Sequence, residues 1–494
     1  MRLRGFGGGF RFRRYLGQPD SAVERLAIPR RAVVPLQQGF GVKLDLLVKP
    51  GDRVSAGQVI GRSDELVSSP VHAPVNGTVE SITETAVSGR RVPAVVIAGD
   101  STDEVQTLAP TGPDHSNVSP ERVEEFIYLS GAAGLGLGGI PTRFRSSAIG
   151  PQDVRHVLVA QTGAEPFNPA VSPFLAGSGA SHFVAGLELL SQVLVKAKFH
   201  IVLGRKDEAL LAEISRLGSG LTRVAYYSAR SRYPQDSPEM LTLTVLGEDF
   251  PFGFLAANVG IVVLDPQAVI AVYDAVASGR PVVERVVALS GPGFVKPIHV
   301  RVRVGTPVAD VVAGRLREGE IRIVRNSLLT GPLVLDRSEP VLRTDSQFVA
   351  LPAGAEREPF AFARPGLHTD SFSRSFFAHW LPTGVKPDAN RHGEERPCIQ
   401  CGWCARVCPV RIIPHLIYRH ASLTIDETLV RLGAFNCIDC GLCTFVCPSK
   451  VKLAARMREA KDKLVSVGCD NSSCVVPKFD LRGIEEYKGV KSIR

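Results

Sequence analysis

Eight of the ten cysteines in this chain fall into two copies of one spacing, and all ten lie beyond residue 397. The first copy is Cys398-Ile-Gln-Cys401-Gly-Trp-Cys404-Ala-Arg-Val-Cys408-Pro409. The second is Cys437-Ile-Asp-Cys440-Gly-Leu-Cys443-Thr-Phe-Val-Cys447-Pro448. Both read C-x2-C-x2-C-x3-C-P, the bacterial [4Fe–4S] pattern, in which the fourth cysteine serves the other cluster. Three closely spaced thiolates can wrap one cube on a tight loop, with Gly402 and Gly441 letting the backbone approach the sulfides. The fourth cysteine is expected at the start of a helix, with Pro409 and Pro448 in its first turn, where a missing N–H is harmless. The ligand sets are then Cys398, Cys401, Cys404 and Cys447 for one cube, and Cys437, Cys440, Cys443 and Cys408 for the other. A single C-x2-C would leave zinc open; two complete copies point to two [4Fe–4S] clusters and one-electron chemistry. A disulfide framework would be spread over the fold, so the crowding also points to a reducing compartment. Cys469 and Cys474, five apart, read as spare thiols.

The elements that carry this module can be read in order. A basic N-terminal segment, 1–29, has five arginines before the first acid, Asp20. Residues 30–100 read as short strands, with turns at Pro50-Gly51-Asp52, Ala56-Gly57 and Asn76-Gly77. KPGDRVSAGQVIG and SSPVHAPVNGTV suit the barrel-sandwich fold of biotinyl and lipoyl carriers. The segment ahead of Pro70, SDELVSS, lacks the carrier lysine, so the unit is expected to dock or cover rather than swing. His72 in it reads as a packed or surface histidine in preference to a ligand. Residues 115–280 alternate strands and helices, a Rossmann-like α/β domain with a mainly parallel sheet. Its first helix starts at Ser119-Pro120 and carries Val123, Phe126 and Ile127 on one face. The glycine-rich run that follows, with Gly136, Gly138 and Gly139 and then Arg143 and Arg145, gives backbone N–H groups room to approach phosphate. It is neither a P-loop nor a clean dinucleotide fingerprint. Glu165, in TGAEPFNP after the strand VRHVLVAQ, lies where such sheets bind ligands; it suits a ribose or flavin edge, or a turn cap. Residues 281–344 read strand, strand, helix, strand, as a small β-grasp domain. Residues 345–393 read as an ordered linker, 394–455 as an α-helical ferredoxin-type domain, and 456–494 as a charged tail with one amphipathic helix near ARMREAKDKLV.

Composition narrows the function classes. The chain has 494 residues, a net charge of +9 and 44% hydrophobic residues, a globular balance that excludes wholesale disorder, collagen and simple coiled coil. No apolar run reaches the roughly 18–20 residues that cross a bilayer, so no transmembrane helix of its own is expected. The N-terminus lacks the apolar core of a secretory signal. No nucleic-acid motif accompanies the positive charge, which suits acidic partners, anionic lipid or plain solvation.

The whole order resembles the C subunit of the Rnf electron-transport complex. It is also similar to the A subunit of the sodium-translocating NADH:quinone oxidoreductase. The residues that carry the resemblance are FGGGF near the N-terminus, VKPGDRVSAGQVIG with PVHAPVNGTV, the loop ending in GGIPT, Arg232-Tyr233-Pro234-Gln235, the run from Asn258 to Gly291, and the two CIxCGxC motifs. The 281–344 segment resembles the soluble-ligand-binding domain of this family and of the flavin subunit of respiratory complex I. The resemblance implies a peripheral subunit on the cytoplasmic side of the inner or plasma membrane. It implies NADH as electron donor, FMN in the α/β domain near the glycine loop and Glu165, and clusters that relay electrons to membrane subunits and other ferredoxin-type subunits. The family's GLGGAGFPT is GLGLGGIPT here, NGAECEP is QTGAEPF, and YPQG is YPQD. All three departures fall around the flavin and nicotinamide sites. They motivate an alternative, a cluster-only relay without its own NADH or FMN site. A soluble flavin reductase of the cobalamin-reductase type shares the architecture and is a third reading.

Overall fold

The structure, a computed structural model of the chain, describes residues 3–38, 44–63, 69–87, 89–109, 111–112, 118–135, 154–249, 256–354, 384–390 and 394–469. Gly136, Gly138, Gly139, Arg143 and Cys474 lie outside the described residues, as does most of the 345–393 segment.

Two small antiparallel sheets build the first unit. One has the order Arg31–Pro35, Arg90–Gly99, Gly77–Val87, Arg53–Val54, and the other Asp45–Leu46, Val59–Arg62, Val71–His72. Ala32, Val34, Val95 and Ile97 face Ile60, Val71 and Ala73 in the core between them. The expected turns are present: Lys49 N–H donates to the Asp52 carboxylate at 2.9 Å, and Asn76 Oδ1 accepts from Ala56 N at 2.8 Å. His72 is buried and its Nε2 meets the Leu129 carbonyl at 2.8 Å. Burial pushes it down to about 4, as suits a packed neutral imidazole. The buried Arg343 donates to Ser69 Oγ at 2.9 Å and to Pro70 O at 3.0 Å. The His72 contact fixes the unit against the C-terminal end of helix Pro120–Leu129, and the Arg343 contacts fix it against the segment that leads into strand Gln347–Ala353.

The second unit is an α/β sheet, all parallel, in the order Val224–Ala229, Lys198–Gly204, His156–Gln161, Ile261–Leu264. The first three strands in sequence step one way and the fourth returns to the other side of the first. The order therefore reverses at His156–Gln161, and ligands of such sheets bind at the carboxyl end of that point. Helices Ser178–Val193 and Pro266–Ala277 pack over one face through Phe183, Leu187, Leu190, Val269 and Val272. Gly186 permits the crossing, since a Cβ there would lie 2.3 Å from Val269 O. Helix Pro120–Leu129 begins as expected, with Ser119 Oγ accepting from Arg122 N.

The third unit corrects two expected boundaries. Its mixed five-stranded sheet has the order Val23–Arg25, Ile298–Arg303, Glu284–Ser290, Gln347–Ala353, Glu320–Arg325. The sheet thus extends beyond 281–344 at both ends. Val23–Arg25, from the supposed N-terminal segment, adds a parallel edge strand. Gln347–Ala353, from the supposed linker, lies inside the sheet, parallel to Glu284–Ser290 and antiparallel to Glu320–Arg325. It is buried on both faces, so it lacks the alternation that marks a half-exposed strand. Beneath it, Arg325 is 2% exposed and pairs with Asp345 and Glu339. Replacing Arg325 with Met leaves Asp345 as an unpaired buried carboxylate. That substitution is expected to destabilise the unit by about 3–5 kcal/mol, read from denaturant unfolding; a loss below about 1 kcal/mol would show the pair to be dispensable.

The fourth unit is helical: Trp403–Val407, Pro414–Ala421, Glu427–Arg431, a 3-10 turn at Ala434–Asn436, Leu442–Phe445 and Leu453–Ser466. The insert between the motifs is helical, as read. The last helix is not part of a tail. Met457 and Leu464 close the core formed by Ile417, Leu429 and Phe435, so the module runs past residue 455.

Candidate functional site: two cysteine-ringed cavities and a neighbouring pocket

The two motifs fold into near copies of one another. Gln400 and Asp439 both have φ 53°, Gly402 and Gly441 have φ 75° and 78°, and Arg411 and Lys450 both have φ 58°. The two glycines sit just before helices Trp403–Val407 and Leu442–Phe445. Left-handed backbone there turns the loop so that the first three cysteines face one space. The position of the fourth cysteine departs from expectation. Cys408 caps the C-terminal end of Trp403–Val407 in extended conformation, and Cys447 likewise follows Leu442–Phe445. Pro409 and Pro448 lie in turns; the helix that does open with proline begins at Pro414. Placing the fourth cysteine beyond the helix end carries its side chain away from its own loop.

One cavity is lined by Cys398, Cys401, Cys404 and Cys447, with His415. The other is lined by Cys437, Cys440, Cys443 and Cys408, with Asp439. These are the two crossed sets named from the spacing. Each pocket spans about 350 Å³ between its lining atoms, part of it open to solvent. Tetrahedral zinc would draw four sulfurs to about 2.3 Å from one point. Eight thiols ringing two open spaces fit cubes, whose iron–sulfide core holds the thiolates apart. Burial raises the thiols of Cys404 and Cys408, pushes Cys437 up to about 11 and Cys440 up to about 12, and raises Cys443 further. Taking up iron therefore has to expel their protons. The first cavity is nearer solvent: Cys401 is exposed and Ile399 beside it is 66% exposed. Cys469, half buried, packs against the second set's core.

The second cavity faces the α/β unit. Tyr233 Oη donates to Cys440 O at 2.8 Å. The N-terminal FGGGF segment straps the two together: Gly9 N donates to Val407 O at 2.7 Å, and Phe10 and Tyr233 exchange backbone hydrogen bonds at 3.0 and 2.9 Å. Phe12 then packs against Phe445 and Tyr233, with ring centroids 5.2 and 6.0 Å apart. Phe12 also helps line an open pocket with Tyr15, Gly163, Glu165, Asn168 and Lys206. This pocket lies at the carboxyl ends of strands His156–Gln161 and Lys198–Gly204, at the reversal point of the sheet. Lys206 approaches so closely that a Cβ on Gly163 would lie 3.1 Å from its Nζ. Asp236, where the family pattern has glycine, accepts from Thr162 N at 2.9 Å and ties down the same turn.

Glu165 lines the pocket, but its Oε1 is already engaged across the unit boundary. It accepts from Ser327 Oγ at 2.6 Å and Leu329 N at 3.1 Å. Burial raises its carboxyl to about 7 against these donors. A folded value above the unfolded one means that the folded chain holds the proton more tightly. Stability is then full below about pH 4.5 and falls as pH rises toward 7, by up to about 3 kcal/mol at 1.36 kcal/mol per unit. Replacing Glu165 with Gln is expected to flatten that slope in unfolding measured from pH 4.5 to 7; the same slope in both proteins would place its origin elsewhere.

Sequence reasoning does not single out Phe12, Lys206 or Lys461, and it marks Asp236 only as the departure from YPQG. Their roles arise from contacts between distant segments. The one local signal is the difference between CIQC and CIDC, which puts a carboxylate at the second cavity.

Comparison with known proteins adds an independent line. Residues 6–102 match the family described as the RnfC barrel sandwich hybrid domain, 286–335 the NQRA C-terminal domain, and 397–452 a 4Fe-4S dicluster domain. The chain is 31% identical to the C subunit of the ion-translocating oxidoreductase complex of Pseudomonas aeruginosa, over 90% of this chain and 54% of that protein. It is 27% identical to the C subunit of the Na(+)-translocating ferredoxin:NAD(+) oxidoreductase complex of Acetobacterium woodii, over 89% and 92%. It is 25% identical to the proton-translocating counterpart of Clostridium ljungdahlii, over 81% and 80%. The chain thus spans about half the length of the first relative and most of the other two. The family resemblance drawn from the motifs is borne out. Among the described residues no helix is long and apolar enough to cross a membrane.

Proposed function

We propose that this chain, a relative of the Rnf C-subunit proteins, is a peripheral electron-transfer component of a membrane-associated ion-translocating oxidoreductase. In this reading it passes electrons between a nicotinamide–flavin pair and membrane partners through two [4Fe–4S] clusters. The observation that carries the reading is the pair of cavities, each ringed by four thiols drawn from both motifs. Cys398, Cys401, Cys404 and Cys447 would hold one cube and Cys437, Cys440, Cys443 and Cys408 the other. The cubes supply one-electron carriage, while the protein supplies spacing and environment. The helical module fixes the two sets through shared helices, and the strap and Tyr233 hold the second set against the α/β unit. Glu165 and Lys206 follow the two strands at the reversal point of the parallel sheet, which supports a ligand site there, and Lys206 would offer a cation to a phosphate. FMN, with NADH as donor, is the cofactor this pocket would take, together with the glycine loop of Gly136, Gly138, Gly139 and Arg143. The β-grasp-type unit braces that pocket through Ser327 and Leu329, and it and the barrel-sandwich unit would offer docking faces.

A cluster-only relay is the second reading. It is favoured by the engagement of Glu165 with Ser327 and Leu329, which leaves the carboxylate committed to a turn. Both readings require the clusters. Anaerobically purified chain is expected to carry about eight iron and about eight sulfide and to show reduced-cluster EPR with dithionite. Stoichiometric zinc, with neither iron nor sulfide, would overturn both.

A further inference from the structure

The two cavities are nearly superimposable in sequence and backbone, but not in charge. Among the described residues that line the first, the one charged or titratable side chain besides the thiols is His415, whose Nδ1 lies 3.6 Å from Cys404 Sγ. Among those that line the second it is Asp439, at the loop position where the first has Gln400. Asp439 is answered by Lys461, on the helix that sequence alone assigns to a tail. The Lys461 side chain is only 5% exposed. Its ammonium donates to the Cys437 carbonyl at 3.1 Å and pairs with the Asp439 carboxylate. Glu239, from the α/β unit, is close enough to feel both charges. Burying an ammonium among backbone and carboxylate groups is costly unless it is paired. An apolar side chain at this position would close the helix onto the module without that cost.

We propose that Lys461, with Asp439, sets the reduction potential of the cluster held by Cys408, Cys437, Cys440 and Cys443, and so separates it from its near-identical neighbour. The inference rests on the cluster reading above. Accepting an electron adds one negative charge inside that ring of thiols. The Lys461 ammonium stabilises the added charge, and Asp439 opposes it. Burial keeps the local dielectric low, so both effects exceed those of surface charges. Net charge and surrounding hydrogen bonds are among the factors that set such potentials. Removing the ammonium alone leaves Asp439, with Glu239 behind it, unanswered beside the ring.

The test is an EPR-monitored redox titration, with mediators, of the full chain carrying its clusters. Lys461→Met keeps the length and apolar stem. It is expected to lower one of the two midpoints by about 59 mV or more, a tenfold change in the oxidised-to-reduced ratio for one electron, and to leave the other in place. Asp439→Asn is expected to raise that same midpoint, and the double variant to return close to the parent. A purely structural clamp would not move the potential in opposite directions for the two changes. Unmoved midpoints in both single variants, or equal shifts of both clusters, would overturn the proposal. If Lys461→Met loses iron, Asp439→Asn decides alone. Absence of clusters from the parent chain would instead overturn the cluster reading itself.

Discussion

Replacing Cys447 with Ala is expected to abolish the cube built on the other motif, lowering iron from about eight to about four per chain. The reason is geometric. Cys447 lies beyond the end of helix Leu442–Phe445 and lines the cavity of Cys398, Cys401 and Cys404. A second substitution, Cys398→Ala, should then remove no further iron, because both residues serve one cube. If instead each motif held its own cube, the double variant would lose both and fall to nearly none. Non-additivity of this kind is what shared membership in one unit produces. The readouts are iron, sulfide and the reduced EPR signal of the single and double variants, all prepared anaerobically. Iron near four in both is the predicted result; iron near zero in the double variant contradicts the crossed assignment.

Gly8→Ala is expected to release the N-terminal strap. Gly8 has φ +59°, and a Cβ there would lie 2.2 Å from the Cys408 carbonyl oxygen and 2.7 Å from that of Val407. Left-handed backbone costs an L-residue about 1–2 kcal/mol. The contacts are with backbone atoms, so no side-chain rotation relieves them. The strap's own bonds, Gly9 N to Val407 O and the Phe10–Tyr233 pair, cannot form with that segment displaced. A total cost of about 3 kcal/mol or more is expected. Hydrogen exchange at the Gly9, Phe10 and Tyr233 amides should accelerate about a hundredfold. Gly5→Ala is the control, since nothing lies within 4 Å of its Cβ position. Unchanged protection in Gly8→Ala would mean that the strap does not join the two units.

The cysteine module is legible in the sequence because its chemistry is local. Two repeated spacings specify loops, ligands and crossing without reference to the rest of the chain. The parallel sheet is legible for a similar reason, since buried strands and amphipathic helices alternate in order. Contacts between distant segments leave no such trace. Val23–Arg25 looks like part of a basic lead, and only pairing with Ile298–Arg303 makes it a strand. Gln347–Ala353 is buried on both faces and shows no period. Leu453–Ser466 is charged enough to pass for a tail, yet Met457 and Leu464 close the module's core. Pro409 and Pro448 mislead in another way. Proline suits a first helical turn, but it suits equally the turn that follows a helix end. Glu165 carries both of its readings in the sequence, and its partners Ser327 and Leu329 lie more than 160 residues away.

In the proposed function, electrons move between a nicotinamide–flavin pair and two clusters within one chain. Anaerobic absorbance during NADH titration, with flavin and iron assayed on the same sample, tests it most directly. Flavin and about eight iron per chain are expected, with flavin and cluster bands bleaching together as NADH is added. Iron near eight, no flavin and no response to NADH would contradict it, and would make the chain a relay fed by another protein of the complex.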